Sequence, residues 1–343
     1  MFVLPLLPAL GELRRKWDAE PLDVIQKHAG EVRYFAHGFR SYLEPLQQPL
    51  RRCVEGGSMG SGRLKNGEDY LLLGYDTGAS LREVAKLKDS ICRLVIAAGT
   101  DVTLPSGLNF LKEVYAAGSL VGGEGNTYRA ILAEQAIHLE PNSRTMRWAH
   151  AGGYFRADRG CTLYGRVSSD REIVLQSGCT FQRLHAPRIV MGCACEMRRE
   201  STTPPVSARR PAELLLPRRL VDGDLEIRAG AAVEENIIAR GDLRIGPGST
   251  VHGSVKGNQS VVVEEGARIE GSLVSSGALR IGLRCQIGGP VLAERQIEIG
   301  AGSVCGTADA PTTVSSPIVQ AMEGTLFFGS LWAREEGRVV TRK

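Results

Sequence analysis

Aromatic side chains are scarce in this sequence of 343 residues: Phe, Trp and Tyr make up 6% of it, within a hydrophobic content of 43%. A core with so few rings suits thin, aliphatic β-coils. Long hydrophobic runs are absent as well. No stretch reaches the roughly 20 apolar residues that a membrane-spanning helix needs, so no complete transmembrane helix is encoded. Charge of one sign is also lacking: the net charge is +4, too small to argue for nucleic acid, and none is predicted as a partner. The eight cysteines, Cys53, Cys92, Cys161, Cys179, Cys193, Cys195, Cys285 and Cys305, are scattered through the chain. Cys193-Ala194-Cys195 is the one close pair, and no CxxC occurs. Free thiols in a reducing cytoplasm follow, and no metal site or cofactor is predicted. The six histidines, His28, His37, His138, His150, His185 and His252, form no ladder one period apart. GxSxG and Walker A motifs are missing too, so no catalytic residues are assigned.

What is present is a repeat. Over residues 221–306, Leu225, Leu243, Val261, Leu279 and Ile297 recur every 18 positions. Two residues further on, Ile227, Ile245, Val263, Ile281 and Ile299 do the same. Val233, Val251, Ile269, Ile287 and Cys305 keep a third register; Ile237, Val255, Leu273 and Val291 keep a fourth. Gly230, Gly248, Gly266 and Gly302 mark one corner, and Gly253, Gly271 and Gly289 another. Alternation such as Leu243-Arg244-Ile245 identifies strands, and glycine supplies the positive φ of a tight corner. Short strands and corners repeating in register wind into a parallel β-helix, each coil climbing about 4.8 Å. The ten residues of the first two registers should form one internal ladder.

Three phrases carry a family resemblance: Val221-Asp222-Gly223-Asp224-Leu225, Ile245-Gly246-Pro247-Gly248-Ser249-Thr250-Val251-His252-Gly253-Ser254-Val255, and Gly266-Ala267-Arg268-Ile269-Glu270-Gly271-Ser272-Leu273. In these the sequence resembles the bactofilins, polymer-forming bacterial cytoskeletal proteins. The resemblance implies a right-handed β-helix that polymerises end to end without nucleotide. One departure matters. Bactofilins carry a short central β-helix between flexible tails, whereas here about 220 residues precede the clean repeat. If these stack on the N-terminal end of the clean coils, that end is closed.

The remainder of the chain divides as follows. Residues 1–67 hold an apolar start, a helical segment and a Gly-rich linker. Phe2, Leu4, Leu6 and Leu7, ahead of Arg14-Arg15-Lys16, either pack on the body or anchor shallowly at a membrane surface. Between residues 20 and 53, Val24, Ile25, His28, Val32, Phe35, Phe39, Tyr42 and Leu43 recur at helical spacing, an amphipathic cover that could act as a lid over the first coil. Residues 68–192 read as irregular β-helix coils: Ile137, Phe155 and Ile173 are 18 apart, and Trp148, Phe155 and Phe181 thicken the interior. Cys161 and Cys179 share that 18-residue period and should stack. Residues 193–219 interrupt the pattern with Pro204-Pro205, Pro211 and Pro217, as a loop or a linker between two β-helical halves. Residues 220–310 are the regular coils, and 311–343 a tail or cap. The prediction is one long β-helix of roughly ten coils.

Two classes of function follow. The first is a non-catalytic, self-assembling scaffold in the cytoplasm or at the inner face of the membrane, forming a homodimer or homopolymer through its β-helix ends. The second is a β-helical enzyme acting on carbohydrate or acyl groups, for which Asp158, Arg159, Asp170 and Arg171 approximate an external charged cluster. A monomeric adaptor is a further alternative. The contact expected for self-association is the C-terminal coil end, where Leu326, Phe327, Phe328 and Trp332 either cap the core or meet a second copy.

Overall fold

A computed structural model describes residues 34–85, 87, 89–192 and 216–341. The chain is a β-solenoid of about 13 turns with 18-residue spacing. In the regular part each coil carries three short strands, for example Leu243–Ile245, Thr250–Val251 and Val255–Gly257. Each pairs in parallel with its counterpart one coil on: Leu243 with Val261, Val251 with Ile269, Val255 with Leu273. Ile227, Leu243, Ile245, Val261, Val263, Leu279, Ile281, Ile297 and Ile299 are buried, while Leu225, in the first of these coils, is half-buried. The corner is left-handed, with Gly248 at φ +65°, and where glycine is missing from that register Arg284 adopts +52°. The residue after the corner turns inward, and its side chain donates to a main-chain carbonyl of a bend. Ser249 Oγ donates to Gly246 O at 2.6 Å, Ser303 Oγ to Gly282 O at 2.8 Å and Cys285 Sγ to Glu264 O at 3.1 Å. Cysteine at this position is a small, weakly donating filler, and burial pushes the Cys285 thiol up to about 11.

The earlier coils follow the same plan with larger contents. Ile137, Phe155 and Ile173 stack in register, and Phe110 and Tyr128 are buried with their rings 5.0 Å apart. Trp148 is not an interior residue as expected. It faces outward in register with Arg166 and packs edge-on against Phe39, because the alternation places it opposite inward-facing Ala149.

The two sets of coils do not form the single continuous helix predicted, nor do the early coils stack on the N-terminal end of the regular ones. They meet at their C-terminal ends, running in opposite directions. The last early strand, Thr180–Met191, pairs antiparallel with the final strand, Leu326–Val340. Backbone bonds close the seam: Gly324 N donates to Met191 O at 2.7 Å, and Val339 N to Cys179 O at 2.9 Å. Inside, Gly337 stands in the column of Ile297 and Val319. A Cβ there would collide with the ring of Phe181, so a buried ring of one half fills the notch left by a glycine of the other. The segment after residue 310 is therefore no loose tail. It contributes the long strands Thr312–Met322 and Leu326–Val340, the last two layers of the regular half.

Two helices, Tyr34–Leu43 and Gln47–Glu55, lie on the flank of the first coils, not over their end. Ala36, Phe39, Leu43, Leu46, Leu50 and Cys53 pack against the outward residues Leu72, Val95, Ala97 and Leu132. The Gly-rich stretch read as a linker includes the strand Met59–Arg63, which forms a hairpin with Asp69–Leu73. The end of the first coil is covered instead by the described residues between 74 and 90: Leu81 is buried in the core, Asp76 Oδ1 accepts from Thr103 N at 3.0 Å, and Ser90 O accepts from Asn109 N at 2.8 Å.

Candidate functional site

The coil ends are the candidate site, because a β-helix leaves backbone groups unpaired only there. Among the described residues three of the four ends are occupied. The N-terminal end of the early coils carries the cover of residues 74–90, and the other two close on each other at the seam. The expected self-association residues lie at that seam. Phe327 is buried and in register with Ile189, and Leu326, also in register across the seam, is half-buried, as is Phe328. Trp332 is in register with Arg183, whose guanidinium sits 4.0 Å from the Trp332 ring centroid. Burial, and then the neighbouring Arg166, lower the pKa of Arg183. The contact expected between two chains at this end is made within one chain, because the early coils present a matching end to it.

The fourth end is the first regular coil. Among the described residues its strands, Arg218–Val221, Leu225–Ile227 and Ala232–Val233, pair only with the coil that follows. Leu225, Ala231 and Val233 are only partly buried, and Leu220 is 56% exposed. Arg219 stands in the register of inward-facing Ile237, yet is exposed. Among the described residues nothing pairs with the outer side of this apolar coil, and Arg219 stands at its margin. Residues 193–215, which precede this coil, lie outside the described residues, as do Phe2, Leu4, Leu6 and Leu7. Among the described residues no helix is long and apolar enough to cross a membrane.

Of the charged cluster considered for an enzyme, Asp158 clamps adjacent coils together. Asp158 accepts from Arg156 Nε at 3.0 Å and Gln176 Nε2 at 2.7 Å, and lies 2.9 Å from His138 Nε2. Burial opposes ionisation of Asp158, but these partners outweigh it and lower its pKa. The structure brings one further set together that spacing had not revealed. His150 Nδ1 lies 2.9 Å from Ser168 Oγ, and Asp170 Oδ1 lies 3.8 Å from His150 Nε2. These are the residue types of a hydrolytic triad, but Ser168 is 5% exposed and the Asp–His distance exceeds a hydrogen bond. His185 Nδ1 repeats the motif 2.9 Å from Ser330 Oγ, across the seam. Alternating His and Ser in one column escapes a search for histidines one period apart.

Cys161 and Cys179 stack on adjacent coils, both buried and both free thiols. The Cys161 contact, reinforced by burial, raises the Cys179 pKa. Among the described residues no group of His, Cys, Asp and Glu is arranged to hold a metal ion. No protein-family model, curated protein or solved structure matches the chain.

Proposed function

We propose that the chain is a non-catalytic β-helical scaffold, resembling the bactofilins, that self-associates through one β-helix end. The observation that carries this reading is the first coil of the regular half, residues 218–233, whose strands pair on one side only among the described residues. A coil end of this kind recruits another strand edge unless something covers it. The seam supports the reading, since there the same chain satisfies two coil ends by antiparallel pairing. One open end among the described residues also sets the stoichiometry. An isologous contact about a two-fold axis closes on itself, so the assembly is a dimer, and a filament would require a second free end. Arg219 tempers the contact, because a charge in an inward register discourages indiscriminate pairing.

Sedimentation velocity with negative-stain microscopy tests this. The wild type should sediment as a concentration-dependent dimer without filaments. Leu225→Asp should leave a folded monomer, and Arg219→Leu should tighten the dimer. A wild type that stays monomeric at high concentration, or one that grows filaments, overturns the single-end reading.

A further inference from the structure

Between the two helices and the flank of the first coils lies a cavity of about 320 Å³, within the roughly 300–1,000 Å³ range of small-molecule sites. Its floor holds the small residues Ala97, Gly99 and Ala117 beside Tyr115, and its wall Leu43, Leu46 and Leu50 with Gln47. Gly99 is required there, since a Cβ would run into Val54 of the second helix. Small side chains on the coil thus bring the helix close at one point and leave a cleft beside it that no described residue fills. Two arginines border the space. Arg40 is committed, with Nε and Nη2 donating to the Glu134 carboxylate at 2.8 and 2.7 Å. Arg51 is exposed at the mouth and has no carboxylate partner among the described residues.

A cleft walled by leucines, with a guanidinium at its rim that has no carboxylate partner among the described residues, is complementary to a ligand with one alkyl chain and one anionic head. We propose that this cleft binds a single-chain anionic amphiphile, its carboxylate or equivalent oxyanion on Arg51 and its chain along Leu43, Leu46 and Leu50. The cleft is concave and roofed by the helices, so it admits a chain and not the flat face of a second copy. The site is independent of the open coil end, and its test is independent of the oligomeric state.

Calorimetric titration of the full chain with dodecanoate, and with dodecanol as the uncharged counterpart, both below their aggregation limits, provides the test. Dodecanoate should bind with one site per chain. Arg51→Glu should weaken it about ten-fold, the value of one charge-assisted contact, and leave dodecanol within about two-fold, since the wall contacts are unchanged. Ala117→Phe, which fills the floor, should abolish binding of both. Circular dichroism checks the folding of Ala117→Phe; should it fail, exposed Arg51→Glu decides alone. No dodecanoate binding by the wild type, or binding that Arg51→Glu leaves unchanged, overturns the proposal.

Discussion

The early and the regular coils solve the same packing problem with different materials. Up to Cys305 the regular half fills its layers mainly with Leu, Ile and Val in strict register, and among the described residues its flanks are bare of helices. The early half uses Phe110, Tyr128, Phe155 and Phe181, lets its period drift, and carries two helices on one flank. Ile173 pairs with Ile189 only 16 residues later, and Leu120 with Ile137 after 17. A repeat whose layers are interchangeable must keep its period, because identical residues fit only at identical positions. Once a ring occupies a layer, its neighbours adjust to that ring, and the corners take up the change in length. Regularity in the sequence therefore reports uniformity of the core more than presence of the fold.

Breaking each kind of layer should expose this difference, and the largest effect is expected in the uniform ladder. Val263 is buried between Ile245 and Ile281 in adjacent coils. Val263→Asp places an unpaired charge there and should cost more than about 4 kcal/mol. Val263→Ile adds one methylene and should cost about 1–3 kcal/mol at most. Urea unfolding monitored by far-UV circular dichroism measures both. A Val263→Asp chain as stable as the wild type would show that the layer is not closed.

The seam joins the two materials and should show coupling between them. Gly337→Val pushes a side chain into Phe181 and should destabilise the chain by about 1–3 kcal/mol. Phe181→Leu alone opens a gap in the same place. The double variant should be more stable than the sum of the two losses, since each change relieves the other. Strict additivity in a double-mutant cycle would mean that the two halves do not interlock at this point.

The sequence made the regular half legible down to individual ladder residues, because a strict 18-residue period leaves one way to stack them. The seam was not legible. Antiparallel meeting of two coil ends leaves no period behind, and Gly337 gives no local sign that a ring from residue 181 fills its column. The position of the helices was equally hidden: their amphipathic spacing shows that one face is buried but not whether a coil end or a flank buries it. Leu72, Val95, Ala97 and Leu132 give the clue in retrospect, as apolar residues at outward positions. Trp148 was misplaced for the same reason, an outward residue that the helices had made apolar.

That dressed flank gives the smallest expected effect, and it separates the halves by pH. Glu68 ties the first helix to the coils: it accepts from the Tyr42 hydroxyl and pairs with Lys112. Lys112 first, then Tyr42, hold the Glu68 carboxyl down at about 2, from an ordinary value of 4.5. Tyr42 in turn is pushed up to about 12, by burial first and then by Glu68. A depressed folded-state value means that the unfolded or detached state binds the proton more readily. The stabilisation is therefore complete above pH 4.5 and is lost as pH falls through about 2. Acid titration should release the helix from the early coils, followed by the indole resonance of Trp148, which now senses Phe39 with ring centroids 5.6 Å apart. The ladder of Val261, Leu279 and Ile297 involves no titrating group, so amide exchange there should respond less over the same window. Glu68→Gln removes the pair, and the Trp148 resonance should then lose this acid transition. A Trp148 transition of unchanged midpoint in Glu68→Gln would place the acid-sensitive contact elsewhere on the flank.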